Sequence, residues 1–286
     1  HFFDFKKKDE VLKKNLLESY GLQLNNYENI NYNSLPIPRL EILNADISIK
    51  EHSLKMNVAS LNIYPKLLNI YKDAGFEVSK IVLNENQILL EEYDLKRLID
   101  YIYNLKNRLT FKDLDLKIKR KESPLIDFKK INFSNFGYNK NIVTGELFNK
   151  KFKITISDSY NEINFQLFKT GITADIIFNE IENNSLISGF VKSTLLKSKL
   201  KFNFDYNDEK LKIYNSYFRS KDLSFNNESI ITHHPFFYLS SFFEVEDIDT
   251  KLLRKINLNK ILASKELIKK INTNNEINFK SKKFNN

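Results

Sequence analysis

Alternation is the signal that most limits what this chain can fold into. "KFKITIS" places Phe152, Ile154 and Ile156 on one side of an extended backbone, and "NEINFQLFK" does the same with Ile163, Phe165 and Leu167. "KLKFNFDY" aligns Leu200, Phe202 and Phe204, and Ile172, Ile176 and Phe178 extend the same set. Side chains of a strand point alternately to opposite faces, so this period marks strands with one apolar and one polar side. Turn-like links at 158–161 and 207–208 separate the runs. The spacing of such runs over residues 21–229 reads as an antiparallel meander.

Four segments carry the longer helical period. One covers 9–20 and stops at Gly21, a residue suited to closing a helix. A second covers 65–74, with Pro65 in its first turn and Gly75 at its end. A third covers 94–108, with Asp94 as cap and Leu95, Leu98, Ile99, Ile102 and Leu105 as an apolar stripe. The fourth, within 250–271, reads as two short helices broken near 257–259. These helices are too few to cover about ten strands, each with an apolar face. The sheet must therefore close on itself, pair as a sandwich, or keep its face for a ligand. The expected fold class is mainly β with a few short helices, a curved antiparallel sheet forming an open groove. A closed β-sandwich core is the alternative.

The chain has five prolines, and two of them, Pro36 and Pro38, stand in "NSLPIPRLEILNADISI". Each fixes φ and extends the residue before it, so the pair is expected to deliver the chain straight into a strand. In that strand Leu40 and Ile42 share one parity, whereas Ala45, Ile47 and Ile49 share the other. The same switch recurs between Val58 and Leu61. A parity switch inside a strand marks a bulge, and bulges bend sheets.

Composition narrows the chemistry. There is no Cys, hence no disulfide, no thiolate nucleophile and no Cys-based zinc site. The net charge is +9, but only Arg39, Arg97, Arg108, Arg120, Arg219 and Arg254 are arginines. Arginine is the usual tool for bidentate phosphate and base contacts, so no nucleic-acid partner is expected. The six glycines are scattered and form no phosphate-binding loop, and no nucleophile elbow occurs. The His233-His234 pair lacks carboxylates at ligand spacing, and Asp113 and Asp115 read as a solvated strand face. No catalytic residue, cofactor or metal is expected. "PFFYLSSFF", residues 235–243, is the most apolar short run; it reads as core beneath the sheet or as a membrane-touching or groove-end element. The chain begins "HFFDFKKKDE", which reads either as the end of a removed membrane anchor or as an arbitrary boundary.

A helix ending in glycine, then a strand, a P-x-P segment, "RLEILNADISI" and "LKMNVASLNIY" running into "LLNIY" together resemble the amino-terminal region of AsmA-type proteins. The likeness rests on Gly21, Pro36, Pro38, Ala59, Leu61, Leu67, Leu68, Val78, Ile81, Leu83, Ile88 and Leu90. "FEVSKIVLNENQILLE" is similar to the strand pair that follows in the family, with Asn84-Glu85-Asn86 where members often carry proline. The likeness is strongest over 11–118 and fades beyond Phe178. It implies an AsmA/chorein-like groove over 1–230, with a helical segment over 231–286 packed on or extending it. It further implies a non-enzymatic periplasmic protein of a Gram-negative bacterium, held to the inner membrane by an anchor missing from this chain. Its expected partners are phospholipid acyl chains, a membrane surface and envelope proteins. Its expected role is lipid transport between membranes and outer-membrane assembly. The alternative role is that of an envelope scaffold. The groove-lining candidates are Phe152, Ile154, Ile156, Ile163, Phe165, Leu167, Ile172, Ile176, Phe178, Leu200, Phe202 and Phe204.

Overall fold

Strand pairs carry most of the backbone hydrogen bonding. The computed structural model describes residues 5–49, 54–66, 77–91, 94–120, 123–179, 186–207, 209–232, 238–249, 272–279 and 284–285, which hold two helices and eighteen strands. The chain divides into two units, His1–Lys153 and Ile154–Asn286.

In the first unit, α1 (Phe5–Tyr20) precedes β1 (Leu22–Asn26), β2 (Asn29–Asn33), β3 (Arg39–Ile49), β4 (Leu54–Pro65) and β5 (Val78–Glu91). Then come α2 (Asp94–Asn104), β6 (Leu109–Arg120), β7 (Ser123–Ser134), β8 (Ile142–Leu147) and β9 (Lys150–Ile156), whose last residues open the second unit. β1 and β2 pair with opposite ends of β3, and the sheet continues β3-β4-β5-β6-β7-β8. Every pair is antiparallel except β5–β6, which is parallel. Parallel neighbours need a crossover, and α2 supplies it.

α1 ends where the sequence places its end. Gly21 takes φ +63° and its N–H donates to Leu17 O at 3.0 Å. The last carbonyls of α1 are also satisfied from α2 and the loop after it. Tyr101 Oη–H donates to Tyr20 O at 2.8 Å, and Asn107 Nδ2 donates to Ser19 O. Burial pushes the pKa of the Tyr20 phenol up to about 12 and raises that of Tyr101. Leu12, Leu16 and Tyr20 from α1 and Leu98 and Tyr101 from α2 join the core. On the strands, Ile42, Leu61, Ile63, Ile81 and Leu83 are 0 % exposed.

A seam of left-handed residues crosses this sheet, where the ladders skip a pair while the β3–β4, β4–β5 and β5–β6 registers are kept. Asn44, Glu85, Asp113 and Lys130 take φ of 47°, 51°, 51° and 49°. Asn44 lies between the pairs Leu43–Ser60 and Ala45–Val58, and Glu85 lies between Asn84–Ser60 and Asn86–Val58. Asp113 stands beside Glu85 across the parallel ladder, and the β6–β7 register shifts at the same level. Burial changes parity there on each strand, from Ile42 to Ala45, Val58 to Leu61, Leu83 to Asn86 and Phe111 to Leu114. The apolar face thus stays continuous while the strands bend. Side chains tie up the backbone groups the seam releases. Buried Asn86 Nδ2 donates to Leu83 O at 2.9 Å and Lys112 O at 3.2 Å, and Asp115 Oδ1 accepts from Lys130 N at 3.0 Å.

In the second unit, β10 (Glu162–Leu167), β11 (Ile172–Phe178), β12 (Ile187–Leu195), β13 (Ser198–Tyr206), β14 (Lys210–Arg219), β15 (Leu223–Thr232) and β16 (Tyr238–Asp249) form an antiparallel meander. β17 (Asn272–Phe279) and β18 (Phe284–Asn285) pair with β16 in parallel. The principal contacts of these strands are with their ladder neighbours. Among the described residues the sheet is curved and open, and no second layer closes it into a sandwich.

Several expectations are corrected. The segment with Pro36 and Pro38 is not a straight lead into β3; it is the loop of the β2–β3 hairpin, closed by the Asn33–Arg39 pair, with Leu35–Pro36 cis. Pro65 ends β4 instead of starting a helix, and most of the expected 65–74 helix lies outside the described residues. "VSKIVLNENQILLE" is one strand, not two, because Asn84-Glu85-Asn86 belongs to the seam and forms no turn. α2 stops at Asn104, short of 108, and Ile99 of the proposed stripe is 57 % exposed while Tyr101 is buried. The described parts of 231–286 are strands; the helices expected within 250–271 lie outside the described residues.

The seam predicts a pair of opposed mutational effects. Asn86→Ala removes the donor to one buried and one part-buried carbonyl and should destabilise by about 1–3 kcal/mol. Glu85→Gly relieves a left-handed residue and should be neutral or stabilise by up to about 1 kcal/mol. Urea unfolding of both variants checks the signs.

Candidate functional site: the apolar face of the second unit

The ladder registers of the second unit carry one face from strand to strand. Ile163 pairs with Ile176, Phe165 with Ala174 and Leu167 with Ile172. Ile176 then pairs with Val191, and Phe178 with Gly189. Val191 pairs with Phe202, Gly189 with Phe204 and Ser193 with Leu200. The face continues through Phe218 and Ile213 on β14, Phe225 and Ile231 on β15, and Val245, Phe243 and Leu239 on β16.

Aromatic packing organises this face. Gly189 has Phe178 and Phe204 as its ladder partners, and their rings meet edge-to-face at 6.0 Å. A Cβ on Gly189 would lie 2.4 Å from Ile177 O and 2.9 Å from the Phe204 ring. Further along, Phe218 stacks on Phe225 at 4.9 Å, and Phe225 meets the edge of Phe243 at 5.4 Å.

Eleven of the twelve candidates read from the sequence, Ile154 through Phe204, belong to this unit. Those on β10–β13 share the one face described above. Most are only half-buried; Leu167 and Phe204 are buried. Phe152 is set apart: it lies in the first unit, 2 % exposed, with its ring against Phe128 at 5.7 Å. Gly145 leaves room for it, since a Cβ there would lie 2.9 Å from the Phe152 ring. On β14 and β15 the sequence pattern does not reveal the face, and on β16 only the run 235–243 points to it. The bulge at Asn215, φ 49°, switches parity between Ile213 and Ser216 and hides the alternation. On β15, Asn227 and Ser229 hold face positions where the pattern calls for apolar residues.

The opposite face carries charges of both signs. Lys192 pairs with Lys201, Lys199 with Arg219 and Asp205 with Lys212. Arg219 stacks over Tyr217 at 4.4 Å and reaches Glu246 at 3.3 Å. Tyr214 Oη–H donates to Asp205 at 3.2 Å, and burial, with the nearby carboxylate, pushes its pKa up.

Among the described residues no group of His, Asp and Glu is arranged to hold a metal, and no helix is long and apolar enough to cross a membrane. His52 and residues 233–237 lie outside the described residues; Tyr238 to Phe243, the remainder of the apolar run, begin β16. Asp113 and Asp115 belong to the seam, where Asp115 binds the Lys130 amide. No family model matches the chain, and neither does any curated protein or solved structure.

Gly189 gives the sharpest test of how this face is packed. Gly189→Ala should destabilise by about 1–3 kcal/mol, the usual cost of overpacking. Thermal unfolding of the variant, with Gly137→Ala in open space as a comparison at a left-handed position, checks it.

Proposed function

We propose that the protein handles phospholipid, sheltering acyl chains on the apolar face of the second unit. The observation that carries this reading is the contrast between the units. In the first, the apolar face is sealed, with five aliphatic side chains at 0 % exposure. In the second, Ile163, Phe165, Ile176 and Phe202 stand half-buried on a face that no other described element covers. A contiguous apolar face of this kind normally marks an interaction site.

Magnitudes favour lipid tails over head groups as the basis of affinity. Each buried CH₂ contributes roughly 0.8 kcal/mol, so a chain of about sixteen carbons needs about 12 kcal/mol of apolar shelter. A Lys near an anionic surface contributes about 1 kcal/mol. The described strand lysines Lys192, Lys199, Lys201 and Lys212 lie on the other face, where they tune membrane approach and not tail binding.

The resemblance to the AsmA family supplies the setting of this proposal. In that setting the protein is not an enzyme; it works in the periplasm of a Gram-negative bacterium, held at the inner membrane. There it contributes to lipid movement between membranes and to outer-membrane assembly, alongside envelope proteins.

The test is lipid analysis of gently purified protein by mass spectrometry. Wild type should carry phospholipid, and Phe165→Asp with Phe202→Asp should lose it while circular dichroism and melting stay near wild type. Lipid-free wild type contradicts the proposal. Unfolding of the double variant also counts against it, because it marks these residues as ordinary core.

A further inference from the structure

One part of the apolar face is polar for no reason that folding supplies. Ser216 on β14 pairs with Asn227 on β15, and Ser229 on β15 pairs with Ser241 on β16. Ser216, Ser229 and Ser241 are 5 %, 7 % and 5 % exposed, on the same face as Phe218, Phe225 and Phe243.

The protons in this cluster can be followed one by one. Ser229 Oγ–H donates to Asn227 Oδ1 at 2.9 Å, and Asn227 Nδ2 donates to Phe242 O at 3.0 Å. Since Ser229 has spent its proton, the 2.8 Å contact between Ser229 Oγ and Ser241 Oγ is donated by Ser241. The relay therefore closes on itself and leaves one hydroxyl out. Ser216 Oγ is buried and has no partner. An unmet buried hydroxyl costs about 1–3 kcal/mol, and alanine at this position would avoid that cost.

We propose that Ser216 Oγ–H is the donor of a polar subsite within the apolar face, and that it receives the ester carbonyl of an acyl chain laid along that face. The proposal rests on the lipid reading above. The chemistry follows from what is left over: one donor, no cation, and aromatic side chains flanking it. That suits a neutral carbonyl oxygen attached to a hydrocarbon and leaves a charged head group unpaired. The face would then fix where along its length a lipid sits, instead of gripping tails at any depth.

The test compares diacyl phosphatidylcholine with its dialkyl ether analogue, which has the same head group and tails but no carbonyl. Binding to the full chain is measured by competition with a fluorescent fatty-acyl probe. Wild type should bind the diacyl lipid about three- to tenfold more tightly, the worth of one hydrogen bond. Ser216→Ala should abolish that preference while binding the ether lipid as wild type does, and Ser216→Thr should keep it. In wild type alone, the infrared band of a ¹³C-labelled ester carbonyl should move to lower wavenumber on binding, and the variant should lose that shift. Equal binding of ester and ether by wild type, with no band shift, overturns the subsite and leaves the apolar-face reading standing. Binding of neither lipid overturns both. Hexadecanoic acid, run alongside, separates ester from free acid: tighter, Ser216-dependent binding of the acid overturns the ester assignment.

Discussion

An antiparallel ladder satisfies backbone polar groups, but it does nothing for the apolar side chains on one of its faces. That unmet face is the constraint on which the rest of this structure depends. The first unit meets it with helices: α1 and α2 bring Leu12, Leu16, Tyr20, Leu98 and Tyr101 into a core with the strands. In the second unit the described elements are all strands, joined side by side. There the same kind of face remains half-buried, with aromatic rings packed on one another along it.

Left-handed interruptions let one sequence pattern serve a bent sheet. A strictly alternating strand would keep one parity on its apolar face over its whole length. At Asn44, Glu85, Asp113 and Lys130 the ladder is interrupted at one level while the β3–β4, β4–β5 and β5–β6 registers stay unchanged across it, and Asn86 and Asp115 hydrogen-bond backbone groups there. On β14 the bulge at Asn215 does shift the register, and its effect is to turn Ser216 onto the apolar face. The bend of the strand and the polar spot on the face therefore have one origin.

Much of this was legible in the alternation. β9, β10 and β13, the helix ending at Gly21, and the parity switches of β3 and β4 are all readable from period alone. What stayed hidden had specific physical causes. The β8–β9 and β12–β13 hairpins turn at Phe148-Asn149 and Leu196-Lys197, all left-handed, where the usual signal is Asn-Gly. Tight turns without glycine blur neighbouring runs, which is why about ten strands were visible and not eighteen. Pro36 and Pro38 were read as extending the chain, because proline local geometry is the same in a strand lead and in a hairpin loop. On the candidate face, Ile163, Phe165 and Phe202 were found because their strands are regular. Phe218 and Phe225 stay hidden because a bulge or a polar residue interrupts their strands, whereas Phe243 falls in the apolar run 235–243.

The central claim is that hydrocarbon meets the apolar face of the second unit and not its polar one. Photo-crosslinking tests this most directly. A benzophenone amino acid is placed at Phe202 in one protein and at its neighbour Lys201, on the opposite face, in another, and each is irradiated with phospholipid vesicles. The account predicts lipid adducts from position 202 and few or none from 201. Equal yields from the two positions, or adducts from 201 alone, would contradict it.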